Sequence, residues 1–283
     1  MAQYMNKGAT CALKPLNLAA AAALLLLAIA PGCAVPGSNP VAGSLGMRYK
    51  DGMEMVYVPS GDFPMGAAAD WDDEAPRHHV YLEGFWIDKA EVTNAQYRRC
   101  VEAGACQPPA QDRSHGRDWY YGNPEYDDYP VIYVNWYDAR AYCAWAGGRI
   151  PSEAQWEKAA GGNEGREFPW GDEPDLSRLN SAERGAGDTS PVGDYRAGSG
   201  PYGALNMSGN VREWTYSLYR PYPYRDGDGR EAAESSEPRV LRGGSWRDGL
   251  EQARVAARDK LEPGGRDEYT GLRCASPLAL GMP

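Results

Sequence analysis

Glycine and proline fill 56 of the 283 positions, and they recur without the period of a collagen-like repeat. Proline ends helices and glycine weakens them, so long regular elements are excluded. The sequence instead predicts many turns and long connections between short elements. Hydrophobic residues at 42% and charged residues at 24% are ordinary globular usage, which excludes disorder throughout. Tyr (19) and Trp (9) far outnumber Phe (3). Those two aromatics carry a polar group and suit a loop-built surface that is both packed and wet.

Before the first turn signals comes a different kind of segment. Met1 to Pro15 carries Lys7 and Lys14 and no acid, and Leu18 to Ala30 is an unbroken apolar run. The run is short for a bilayer span and has the length of a signal-peptide core. It ends at Ala30, Pro31, Gly32 and Cys33. A small residue followed by Cys resembles the bacterial lipobox, although Pro31 and Ala30 depart from the usual pattern. Residues 1–32 therefore read as a lipoprotein signal peptide with Cys33 as the lipidation site, against an ordinary secretory signal with a chance cysteine. Residues 33–46 read as a flexible tether. The expected address is the cell envelope, with the membrane as partner through Cys33. Ala34 lacks the acid associated with inner-membrane retention, which points to the outer membrane, facing periplasm or surface. Loss of the two signal lysines takes the net charge from −10 to −12. Such an acidic chain lacks the basic patch that a nucleic-acid partner needs, and it suits divalent cations.

Outside Cys11 and Cys33 four cysteines remain, which allow three pairings. Cys100 and Cys106 flank a short loop turned by Gly104, so a local bridge is the simplest proposal. Cys143 and Cys274 would then pair. A metal site or catalytic thiol pair is the competing reading, though no CxxC or clustered His accompanies these residues.

Met53 to Pro59 reads as a strand and turn, and His79 to Ile87 as a strand broken at Gly84. Thr93 caps a helix running through Ala103, and Gln107 to Tyr129 is a loop. Asp138 to Gly147 has helical spacing at Ala141, Tyr142 and Trp145, and Ser152 caps a helix ending at Gly161. Beyond it only short strands are expected, such as Val240 to Arg242 and Ala253 to Ala257. No repeat or second boundary interrupts 47–277, and 278–283 reads as a tail. Residues 225–238, charged and nearly without large apolar side chains, read as a mobile loop.

An ordered series of motifs runs through this domain. It begins with Tyr57 to Gly66 (YVPSGDFPMG), Glu91 to Tyr97 (EVTNAQY) and Val134 to Ala139 (VNWYDA). Arg149 to Glu157 (RIPSEAQWE), Phe168 to Gly171 (FPWG) and Asn206 to Trp214 (NMSGNVREW) follow. Arg242 to Trp246 (RGGSW) and Gly271 to Ala275 (GLRCA) close it. The series resembles the formylglycine-generating enzyme, or sulfatase-modifying factor, family over residues 50 to 276. The resemblance implies a single α+β domain related to C-type lectins, with little regular structure. It also implies a disulfide between Cys143 and Cys274. One family calcium site maps to Asn206, Gly209, Val211 and Glu213, and a second to Asn180, Ser181 and Asp188. Oxygen donors on a Gly-containing loop are what a hard cation needs.

The oxidase of that family uses copper and two cysteines between its GGS and AAR motifs. Here Arg247 to Ala256 contains no Cys. Copper(I) prefers thiolates, and neither Asp248 nor Glu251 replaces one. A second branch uses nonheme iron held by histidines in an extra helical domain. Only His78, His79 and His115 occur here, scattered, and that domain is absent. Copper and iron are thus not expected. A third branch, of pyoverdine-maturation-like and nitrite-reductase accessory proteins, keeps an enzymatic role open. Ser245, Trp246, Arg247, Asp248 and Arg258 lie nearest the inherited pocket, with Asp248 as a conceivable base. Arg242, Arg254, Arg258 and Arg273 can equally be structural ion-pair partners. Nothing resembles a nucleophile elbow or a P-loop.

Two functions follow as expectations. The first is a calcium-binding, envelope-anchored module that is non-catalytic and recognises a protein, peptide or glycan. Its material would be the Tyr-rich stretches at Trp119 to Tyr121, Tyr126, Tyr129 and Tyr216 to Tyr224. The alternative is a metal-dependent oxidoreductase or maturation factor acting on an exported protein or small molecule.

Overall fold

A computed structural model describes residues 40–68 and 73–276. The signal peptide, Cys33 and the 278–283 tail lie outside the described residues. Strands β1 (Leu45–Arg48), β2 (Met53–Val58), β3 (Gly61–Met65), β4 (His78–Leu82) and β5 (Phe85–Asp88) come first. Helices α1 (Asn94–Glu102), α2 (Trp136–Ala146) and α3 (Glu153–Gly161) follow. The rest is β6 (Arg212–Leu218), β7 (Arg239–Arg242), β8 (Arg258–Leu261), β9 (Thr270–Gly271) and β10 (Ala275–Ser276). One antiparallel sheet has the order β1-β2-β5-β10, β3 and β4 form a hairpin, and a third sheet has the order β8-β7-β6-β9. Strand β1 begins at Leu45, inside the stretch read as tether.

The helices start where side chains can satisfy their first backbone N–H groups. Thr93, Asn135 and Ser152 each accept from the third helical residue, whose own side chain bonds back. Asn135 is why α2 begins two residues before the expected Asp138: the hydrophobic spacing is visible from Ala141, but the cap sets the start. Two packed clusters hold the sheets to the helices. Trp136, Tyr142 and Trp214 lie in one, and Trp156, Phe85, Ile87 and Met207 in the other. Both disulfides are formed, Cys100–Cys106 and Cys143–Cys274. The second closes 131 residues and joins α2 to the residue before β10.

Three further expectations differ from the structure. Ala253 to Ala257 is a run of turns, held by bonds from the Ala253 N–H to the Gly249 and Leu250 carbonyls, and the strand starts at Arg258. Strand β6 covers the end of the expected calcium loop and the start of the Tyr-rich stretch. It is buried on both faces, so it shows none of the alternation that marks a half-exposed strand. Residues 225–238 are not a free loop. Arg230 is buried and donates to Asp228 and to the Pro221 and Pro223 carbonyls, while Arg239 gathers the carbonyls of Ala232, Ala233 and Ser235.

Candidate functional site

Strand β7 runs into Gly243 and Gly244, which turn the chain before Ser245. A Cβ on Gly244 would lie 2.9 Å from the Gln252 carbonyl oxygen, so only glycine lets the turn press against that segment. The buried Ser245 hydroxyl donates to Asp248 Oδ2 at 2.7 Å, and the Asp248 N–H donates to the Ser245 carbonyl. A cavity of about 290 Å³ opens here, lined by Asp248, Gln252, Arg212 and Asp259 among others. A carboxylate bound to a serine is a poor base for it, and no imidazole completes a relay.

The other catalytic candidates do not converge on this point. The Trp246 ring lies beside His115 at 5.2 Å and the Arg247 guanidinium lies over Tyr269. Arg258 lines the cavity, but its guanidinium turns inward. It bonds both oxygens of Glu153 and the carbonyls of Asp73 and Arg220. Arg242 pairs with Glu157, Arg254 with Glu74 and Arg273 with Glu213. All four of these arginines are ion-pair partners of buried acids.

Of the residues expected to hold calcium, Asn180 lies against Gly209 and bonds the Asp188 carbonyl. Asn206, Gly209 and Asn210 all have positive φ (52°, 77° and 65°), which curls the loop before β6. Gly209 is required: a Cβ there would lie 2.3 Å from the Asn180 carbonyl oxygen. The Asn180 amide nitrogen donates to the Asp188 carbonyl and, at 3.3 Å, to Asn210 Oδ1. The two sets therefore meet at Asn180. Their donors differ in availability. Both Glu213 oxygens accept from Arg273 at 2.6 Å, and Trp156 adds a bond at 2.7 Å. Asp188 is bonded by Ser114, Gly116 and Thr189 and paired with Arg117. Asn180 Oδ1, by contrast, is buried with no hydrogen-bond partner, the condition of an oxygen that lacks a cation or water. That oxygen fits a hard cation, whereas Glu213 as held by Arg273 does not.

Glu91, which is not among the expected site residues, also bonds the loop before β6. It accepts from the Asn206 and Asn210 amides and is fully buried. Burial, opposed by Arg273 and reinforced by Glu213, pushes its carboxyl up to about 7. The signal was a charged residue opening the otherwise apolar or capping stretch Glu91 to Asn94. Among the described residues no group of three His, Cys, Asp or Glu side chains is placed to hold a metal.

A family model described as the sulfatase-modifying factor enzyme 1-like domain matches residues 42–278. Formylglycine-generating enzyme of Streptomyces coelicolor is 33% identical, covering 80% of this chain and 90% of that protein. Inactive C-alpha-formylglycine-generating enzyme 2 of Bos taurus is 31% identical, covering 79% and 88%. Serine/threonine-protein kinase Pkn1 of Chlamydia trachomatis is 36% identical over 80% of this chain, but the match takes in only 38% of that longer protein. The structure of PvdO from Pseudomonas aeruginosa superposes with a TM-score of 0.70 at 28% identity, covering 83% of this chain and 98% of that one. These matches and the mixed fold of short helices and sheets agree: the chain belongs to the sulfatase-modifying factor, or formylglycine-generating enzyme, domain family.

Proposed function

We propose that this family member is an envelope-anchored, non-catalytic binding or accessory module. One observation carries the reading. Arg247 to Ala256, the stretch in which the resemblance puts the two cysteines of the family's oxidases, contains no Cys, and every cysteine among the described residues is in a disulfide. Cys33 would hold the lipid anchor and the tether would present the domain at the outer membrane. Calcium would be structural, taken at Asn180 Oδ1 with the neighbouring Ser181 and the loop at Asn206 to Val211, where it would supply positive charge to oxygen donors. The ligand would be a protein, peptide or glycan.

Elemental analysis of the chain purified without chelator or added metal tests this, together with a peptide assay. The expected result is calcium near stoichiometry and no aldehyde formed from a sulfatase-type cysteine peptide with copper and oxygen. Stoichiometric copper or iron, or peptide oxidation, would establish the alternative, a metal-dependent oxidoreductase or maturation factor.

A further inference from the structure

A second cavity, of about 610 Å³, lies apart from the Ser245 turn. It opens between the end of β4, the residues entering α3 and the β6–β7 connection. This is the size range of small-molecule sites. Tyr81, Tyr216 and Tyr224 contribute aromatic surface, and Tyr81 is 56% exposed. Three acids line the cavity, Glu83, Asp226 and Glu231, against one base, Arg149.

Glu231 distinguishes this cavity from the acidic surface in general. Its Oε1 accepts from the Ser217 hydroxyl at 2.6 Å and the Tyr224 hydroxyl at 2.7 Å, while its buried Oε2 accepts nothing. Most of the buried acids elsewhere have an arginine, Glu91 with its two amide donors being an exception. Glu74, Asp88, Glu153, Glu157 and Glu213 each have an arginine partner. Among the described residues Glu231 makes no ion pair: Arg149 attracts it only from a distance and bonds Gln155 at 3.4 Å. Glu83 and Asp226 at the rim make no ion pair or hydrogen bond among the described residues. An enclosed carboxylate without a countercharge is costly, and tyrosine faces attract cations. Arg230 already lies over the Tyr224 ring and Arg239 over that of Tyr216, so the wall offers three acids against one arginine together with the exposed Tyr81.

We infer that this cavity binds an organic cation, a primary ammonium or guanidinium on a short aliphatic stem. The cation would come either as a free small molecule or as a basic side chain of a peptide. The inference rests on the binding-module reading and names the ligand chemistry of such a module. Its test is separate from the metal and peptide-oxidation assays, so either can fail alone.

The test is calorimetric titration of the full chain with putrescine, agmatine, Nα-acetyl-lysine methylamide and, as the neutral match, N-acetyl-norleucine methylamide. Saturable binding of at least one cation is expected, with norleucine amide at least tenfold weaker. Binding of the free amines alone would identify a small molecule, and binding of the lysine amide alone a peptide side chain. Glu231→Gln keeps an oxygen for Ser217 and Tyr224 and should weaken binding at least tenfold. Asp226→Asn, at an exposed position, should weaken it in the same direction without touching the interior. The proposal is overturned if no cation binds saturably, if the norleucine amide binds equally, or if neither variant changes the affinity.

Discussion

At the scale of single residues this domain is organised by buried arginines. Arg48, Arg242, Arg254, Arg258 and Arg273 each meet an interior carboxylate, often through two donors as the guanidinium fork allows. Such pairs stabilise weakly as a whole, yet removing one member strands the other. Glu213→Gln should lower stability by roughly 3–5 kcal/mol, read as a fall in the urea midpoint. A loss below about 1 kcal/mol would mean that Arg273 finds another partner. Glu91 makes a pH-dependent prediction. Its folded pKa, about 7, stands above the reference value of 4.5, so the folded state binds the extra proton between those values. Its contribution is therefore fully present below pH 4.5 and is lost as the pH rises through 7. In calcium-free buffer the wild type should lose stability relative to Glu91→Gln across that window, measured as the difference in melting temperature. A difference that does not vary with pH would refute the assignment.

Elements begin where sequence and local geometry agree. Caps at Thr93 and Ser152 are readable from the sequence, whereas the reciprocal Asn135/Asp138 cap of α2 emerges only in the structure. Thr93→Ala should cost about 1 kcal/mol in chemical denaturation, with Thr93→Ser restoring most of it. Strands were harder to read. The break at Gly84 between β4 and β5 is visible because a turn residue interrupts an apolar run, and a Cβ on Gly84 would lie 2.1 Å from the Tyr57 hydroxyl oxygen. Strand β6 was not visible, because its position in the middle of a sheet hides its period.

Across the whole molecule, two disulfides close very different loops. Cys143–Cys274 spans 131 residues and Cys100–Cys106 spans 6. In the chain-entropy model the long loop stabilises by roughly 5 kcal/mol and the short one by about 2 kcal/mol. Replacing both cysteines of the long bridge with alanine should therefore lower the unfolding free energy about twice as much as doing so for the short one. Equal losses would show that packing around the sulfurs, not the closed loop, sets the effect.

By itself the sequence determined the family, the mixed fold, the three helices and the absence of a cysteine pair after Ser245. All of these rest on residue order and local bonding, which survive without knowledge of what packs on what. Only the tertiary structure decided which arginines are occupied. Arg258, the arginine of the AAR motif, is expected near the pocket, but Glu153, distant in sequence, turns it inward. Likewise Asn180 bonds Asn210, which shares Glu91 with Asn206, and Glu231 lines a cavity with three tyrosines and no ion-pair partner among the described residues. Such facts depend on which charge faces which across the fold, a relation that spacing along the chain does not encode.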